Sequence, residues 1–395
     1  MNTIAIPKNR ITSIDFLRGT IMIIMALDHV RDYFHYPAFF YDPTDLSKTS
    51  TAIFFTRWIT HFCAPIFTFL AGTSAFLIGQ KKSKGDLAQF LLLRGVWLIL
   101  FEQVVMNFGW HFDITLSTVI LIVLWGLGVG MIVLAGLIYL PTKFILLIGL
   151  ILVGAHNLLD HIHVQGNTLQ AFGWAIVHDP NFFSWHGENI FVGYPIISLV
   201  GIMALGYCLG EWYKKDFDPE RRRKLLLYTG FGAIFLFIII RFINVYGDPH
   251  PWSVQKSSMF TFLSFLNTTK YPVSLLYTLM TLGPALLFLG FTENSTGKIV
   301  DVVSVYGRVP LFYYVLHVYV LHLLTMIISG FTPFGWRMWI VNQPLWFDHD
   351  FQGYGFSLPI VYLIWISVVV ALYPLCKWYD QYKQRNKQKW WLSYL

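Results

Sequence analysis

Residues 12–36 read TSIDFLRGTIMIIMALDHVRDYFHY, an apolar stretch carrying ionisable groups at regular intervals. Asp15, Arg18, Met22, Met25, His29, Asp32 and Tyr36 follow one another at spacings of three and four, which lines them up on one stripe of a helix. Arg18 and His29 are then about 16 Å apart along the axis and on nearly the same face. A histidine beside a carboxylate suits general-base work: the carboxylate orients the ring and stabilises the imidazolium, so a hydroxyl or amine can lose its proton near neutral pH. Asp28 and His29 offer that combination, and a base of this kind can drive direct attack on a thioester with no covalent enzyme intermediate. The plainer reading of the same charges is a polar lock, with Asp15 on Arg18 and with Asp28 or Asp32 on Arg31.

Other residues join the candidates. His61 stands in THFCAPIFTFLAG, where Pro65 and Gly72 allow a kink and close packing of helix backbones. Glu102 and Gln103 fall in the outer half of a third apolar run, where they can meet Asp28 and His29, and Arg94 falls in its inner half, level with Arg18. Two arginines at that depth point to an anion, with pairing to a local carboxylate as the alternative. His317 and His322, in GRVPLFYYVLHVYVLHLL, are five apart and do not share a helix face, which argues against a two-histidine metal site there. His317 is the deeper of the two. His156 and Asp160 are i,i+4 neighbours at an outer rim and read as a helix terminus. P-loop, HExxH, nucleophile-elbow and dinucleotide motifs are lacking, and no metal is expected.

These groups must be positioned by membrane helices. Of 395 residues, 56% are hydrophobic and only 12% charged, half the charged share of an ordinary soluble domain, and the mean hydropathy is +0.57. Apolar runs long enough to span recur at about 12–34, 53–78, 87–107, 115–138, 142–157, 194–213, 225–244, 272–292, 308–328 and 357–379. The expected fold is therefore an all-α polytopic bundle of about ten transmembrane helices, a single domain over residues 1–395. A charged side chain at bilayer depth costs roughly 2.5–3.5 kcal/mol even on lenient scales, so the stripe on the first helix must face protein or water.

The net charge of +7 is topological and not a nucleic-acid footprint, because the basic residues occupy every second loop. Lys8 and Arg10, Lys81 with Lys82 and Lys84, Lys143, the run from Lys214 to Lys224, Lys298 and the C-terminal lysines alternate with longer loops rich in His, Trp, Asp and Gly. Both termini are expected in the cytoplasm, and the longer loops form the outer face. Cys63, Cys208 and Cys376 lie inside apolar runs without metal spacing and are expected to be core residues. MNTIAIPKNR lacks the pattern of a removable signal peptide.

The motifs taken together resemble a known family. RITSIDFLRG followed by DH, HFCAPIFTFLAGTS, VLWGLGVGM, AHNLLD, YPIISLVGIMALGYCLG and GRVPLFYYVLH resemble the heparan-alpha-glucosaminide N-acetyltransferase catalytic-domain family in its bacterial branch. That family is similar to the wider transmembrane acyltransferases, whose first helix carries an arginine, ten residues and a histidine, the spacing of Arg18 and His29. The resemblance implies transfer of an acyl group, typically acetyl, from cytoplasmic acetyl-CoA to a sugar or glycan beyond the bilayer of the cell's inner membrane. His29 and Asp28 would act near the acceptor, with His61 and His317 as alternatives. Arg18 and Arg94 would hold the donor, while Lys81 and Lys82 would meet the CoA phosphates. The chain departs from the animal enzyme's pattern, in which a His-Ala-Ser-Trp-Asn-Gly type motif lies in the first outer loop. A homo-oligomer stays open beside a monomer. The competing class is a proton-coupled secondary transporter with Asp15, Arg18, Asp28, His29 and Glu102 as a relay, although no internal repeat supports it.

Overall fold

A computed structural model describes residues 11–185, 187–341 and 349–393. Lys8 and Arg10, named above for topology, lie outside the described residues. The chain is 70% helical with little strand. We label the main helices α1 (Thr12–Phe34), α2 (Thr51–Gly79), α3 (Lys84–His111), α4 (Val123–Leu137), α5 (Thr142–Leu159), α6 (Ile196–Tyr213), α7 (Pro219–Ile243), α8 (Leu275–Phe291), α9 (Lys298–Arg308), α10 (Pro310–Gly330) and α11 (Leu358–Arg385). Among the described residues, seven of them are long and apolar enough to cross a membrane: α2, α3, α5, α6, α7, α10 and α11. The two apolar helices α4 and α8 have 15 and 17 residues, and α1 has the length but carries five charged residues. Every expected run contains a helix, although the one expected from 115 is helical only from Val123, and α9 is an addition.

α1 is the centre of the bundle, packing against α2, α8, α9, α10 and α11. The outermost helices show the opposite surface: Leu92, Leu93, Val96 and Leu100 of α3 and Phe231, Phe235 and Phe242 of α7 are exposed, apolar faces of the kind that lipid covers at no cost. Two backbone approaches set the core. A Cβ on Gly72 would lie 2.0 Å from the Met203 carbonyl oxygen, and one on Gly307 would lie 1.9 Å from that of Asp15. Glycine is therefore required where α2 meets α6 and where α9 meets α1.

Local chemistry explains the breaks. Pro65 has no N–H for the carbonyl of His61, four residues earlier. The α-helical ladder of α2 breaks there, and the Tyr277 hydroxyl of α8 donates to the freed oxygen at 2.7 Å. α3 passes through a π turn at Glu102–Met106, a device that re-aims side chains. Glu102 opens this turn and accepts the backbone N–H groups of Ile122, Leu124 and Trp125 at 3.1, 2.8 and 2.8 Å. A carboxylate on the first turn of α4 satisfies its unpaired donors and complements the helix dipole. The expected meeting of Glu102 with Asp28 and His29 is replaced by this cap, which also explains why α4 begins at Val123 and not near residue 115.

Residues 118–121 form instead a strand, β1 (Thr118–Leu121), parallel to β3 (Glu188–Val192), which pairs antiparallel with β2 (Asn181–Trp185). The loop entering β1 turns on Asp113, whose carboxylate accepts from the N–H and hydroxyl of Thr115 and of Ser117. Burial pushes that carboxyl up, but the four hydrogen bonds outweigh it and hold the group well below the usual carboxylate range. The sheet and the helices Leu169–Val177 and Ser258–Leu266 belong to the loops at the His29 end of α1.

Candidate active site

A cavity of about 460 Å³ runs along the stripe on α1. Arg18, Met22 and Met25 form one wall, with Ser74 of α2, Arg94 and Leu98 of α3, Met131 of α4 and Tyr314 of α10 around them. At one end stand Arg308, Asp380, Lys383 and Lys387. The described lining holds five cations, the three arginines and two lysines, against one carboxylate, and its volume is typical of small-molecule sites. Gly307 brings α9 against α1, which sets Arg308 beside Arg18. Arg18 is held in place, donating to Ser74 Oγ at 3.0 Å and to the Gly307 carbonyl at 3.3 Å, with Asp15 at 3.6 Å. Both earlier readings of Arg18 therefore apply: it pairs with Asp15 and also faces the cavity. Arg308 is fixed by Asp380 at 2.8 Å.

The other end of the cavity stops one helical turn short of His29. Met25 precedes it by four residues, and the Tyr314 ring centroid is 5.9 Å from that of His29. His29 Nδ1 lies 2.7 Å from His317 Nε2, and His317 Nδ1 lies 2.7 Å from the Tyr313 carbonyl oxygen. This chain fixes the tautomers. A carbonyl only accepts, so His317 Nδ1 carries a proton and donates it. Neutral His317 then presents a lone pair at Nε2, and His29 donates its Nδ1 proton to that lone pair. His29 Nε2 is left as the basic nitrogen. The Trp110 ring meets His29 edge-on at 4.8 Å, fixing its plane. His29 is half-buried, whereas His317 is fully buried.

Asp28 pairs with Arg31, as in the polar-lock reading, and with two further cations from elsewhere in the chain. Its carboxylate oxygens accept from Arg57 at 2.5 and 2.6 Å, with Arg31 at 3.3 Å and Lys270 at 3.9 Å. Arg31 also binds Asp32 at 2.5 Å. Asp28 and His29 are successive residues, turned about 100° apart on the helix, and the orienting partner of His29 is an imidazole. His61 lies one turn after Arg57 on α2, and its ring tilts against Tyr277. His322 is separate again, contacting the carbonyls of Gly109 and Met338 and stacking on Phe112. Lys81 and Lys82 are exposed beyond the end of α2 and do not line the cavity; Lys82 lies 5.8 Å over the Phe90 ring, whose opposite surroundings are the cavity wall. The cations at that mouth are Arg308, Lys383 and Lys387 instead.

Sequence reasoning missed Arg57, Lys270, Trp110 and Tyr314. Arg57 left a trace, as a lone cation in an apolar run one turn before His61.

The family model of the heparan-alpha-glucosaminide N-acetyltransferase catalytic domain matches residues 10–241. The chain belongs to that family. Its kind of function is therefore that of a transmembrane N-acetyltransferase. A comparison with curated proteins gives no match. The family match contains Arg18, His29 and Arg94 but ends before His317, Tyr314, Arg308 and Lys383, so both ends of the cavity are completed by residues that follow it.

Proposed function

We propose that this family member transfers an acyl group, most simply acetyl, from acyl-CoA on the cytoplasmic side to a sugar or glycan on the other side of the inner membrane. The observation that carries the reading is the cavity reaching from five cations to one turn below His29. In this reading the chain acts as one domain over residues 1–395, crosses the membrane about ten times and keeps both termini in the cytoplasm. The Arg308–Lys387 end then faces the cytoplasm, in keeping with the basic loops.

The phosphates of the CoA bind Arg308, Lys383 and Lys387, while Arg18 and Arg94 steady the donor deeper in the cavity. The pantetheine arm lies against Met22, Met25 and Leu98. The thioester carbonyl arrives beside His29, and the acceptor enters from the opposite end. His29 Nε2 takes a proton from the acceptor amine or hydroxyl as its nitrogen or oxygen attacks the carbonyl carbon. The new C–N or C–O bond forms, the C–S bond breaks, and the departing thiolate takes the proton from His29. His317 keeps His29 in the reactive tautomer and shares the transient positive charge.

The reading is tested by calorimetric titration of purified protein with acetyl-CoA, followed by transfer of labelled acetyl to amino-sugar acceptors. Saturable binding that Arg18→Ala weakens supports it. Absence of any heat or thermal shift at saturating acetyl-CoA, in protein that is monodisperse, overturns it.

A further inference from the structure

A second constellation lies at the His29 end, away from the cavity. α5 closes in a tight turn, His156–Leu159, and His178 caps the helix Leu169–Val177 that crosses above it. His156, Asp160 and His178 converge there, each offering one ligand atom within 4.8 Å of the others. His178 Nε2 is 3.0 Å from Asp160 Oδ1, and the two imidazole rings meet edge-on with centroids 5.6 Å apart.

Both histidines are 2% exposed, yet neither ring nitrogen of His156 has a hydrogen-bond partner, and neither does His178 Nδ1. The Val273 backbone approaches His156 without meeting hydrogen-bond geometry. A buried polar atom left unmatched costs on the order of 1–3 kcal/mol, so an imidazole with both nitrogens orphaned calls for a partner. The support behind the cluster is already built. Asn157 Nδ2 donates to Asp160 Oδ2 at 2.8 Å, and Asn157 Oδ1 is itself fixed by the Leu275 N–H at 2.9 Å. Asp160 Oδ1 is thereby aimed inward, the arrangement by which outer hydrogen bonds orient a metal ligand.

We propose that His156, Asp160 and His178 bind a divalent transition-metal ion, zinc by ligand type. Two imidazoles and a carboxylate are a borderline-soft set that zinc prefers over calcium or magnesium. A tetrahedral ion with bonds of about 2.0–2.1 Å holds its ligand atoms roughly 3.4 Å apart, so small side-chain rotations bring this set to bonding distance. Asp160 and His178 also border a cavity of about 530 Å³, which gives the ion an entry path and a water for the fourth position. The bound ion ties the helix 169–177 to the end of α5. None of this rests on the acyltransferase reading.

Zinc itself is the probe. The full-length protein, with any affinity tag removed and the metal stripped by chelator, is titrated with Zn²⁺ and, separately, with Co²⁺ for its visible absorption. One zinc per chain is expected, with a higher thermal midpoint and the intense absorption of four-coordinate cobalt. His178→Gln and Asp160→Asn should each weaken binding at least tenfold, and Asn157→Ala, which removes only the hydrogen bond that orients Asp160, less. His163→Ala with His250→Ala, which alters exposed histidines of the neighbouring cavity, should leave it intact. Failure of the wild type to take up zinc, or uptake unchanged in His178→Gln, overturns the proposal. Should His178→Gln not fold, a six-coordinate cobalt spectrum in the wild type overturns it by itself.

Discussion

The two ends of α1 carry similar numbers of charges and use them in opposite ways. Around Arg18 cations are in excess: α1, α3, α9 and α11 with its C-terminal extension bring five of them to a void lined by one described carboxylate, Asp380, while Asp15 pairs with Arg18 from outside the lining. Around Asp28 they are nearly matched and in direct contact: the three cations Arg31, Arg57 and Lys270 face the two carboxylates Asp28 and Asp32 across distances of 2.5–3.9 Å. A cation excess beside open volume suits an anion, whereas a nearly balanced and close set acts as a structural tie that offsets the desolvation of its members. His29 stands on the border of the two. It is one residue from the tied carboxylate but joined by hydrogen bond to His317 on the cavity side. The lesson is that a charge in a membrane helix is informative only with its partner in view.

The comparison breaks first at His29. His29→Ala is expected to reduce acyl transfer by at least about 100-fold, the usual worth of a general base, while acetyl-CoA binding and thermal stability stay near wild type. His317→Ala should lower kcat by less and leave the KM for acyl-CoA unchanged. Equal activity in His29→Ala would move the chemistry elsewhere, and a loss of folding in place of activity would move His29 into the structural set. Steady-state kinetics with a thermal melt of each variant separates these outcomes.

Arg57→Ala tests the opposite end. Removing it leaves Asp28 without its bidentate partner, and breaking a buried pair in this way costs on the order of 3–5 kcal/mol. A fall in the thermal midpoint is expected, and Asp28→Asn added to Arg57→Ala should recover part of it, because the uncompensated charge is gone. A variant that is stable but inactive would contradict the division between the two ends.

Much of this was legible in the sequence. The stripe on α1 could be read because charges are rare in apolar runs and because helical spacing fixes which of them share a face. Arg18 and Arg94 were placed at one depth from position alone, and both line the cavity. Partners were harder, since they are contacts across long separations. Arg57 is 29 residues from Asp28, and His317 is 288 from His29; no local pattern carries such pairings. Glu102 opens a π turn that has no marker as plain as proline, and its carboxylate is taken by backbone N–H groups twenty or more residues away. Lys81 and Lys82 came from the family resemblance as lysines of a loop expected in the cytoplasm, while the fold lines the cavity with Arg308, Lys383 and Lys387.

Lysines at the mouth give the next effect. Lys383→Ala with Lys387→Ala should raise the KM for acyl-CoA by about tenfold, from two partly exposed phosphate contacts worth up to about 1 kcal/mol each. kcat should hold, since neither residue approaches His29, and the effect should shrink at high salt because such contacts are screened. A change confined to kcat would contradict a binding role.

The smallest effect belongs to Lys81→Ala with Lys82→Ala. Both side chains are exposed, and surface substitutions of this kind usually change stability by no more than about 0.5 kcal/mol. Lys82 touches the site only through the outer side of Phe90, so the KM for acyl-CoA should change less than twofold. The contrast with Lys383 and Lys387 sharpens the comparison, because all four lysines add the same charge to the same end of the molecule. If a general positive field recruited the donor, the two double variants would weaken binding equally and lose the difference at high salt. If the cavity mouth does so through its own geometry, only the pair on α11 and its C-terminal extension matters.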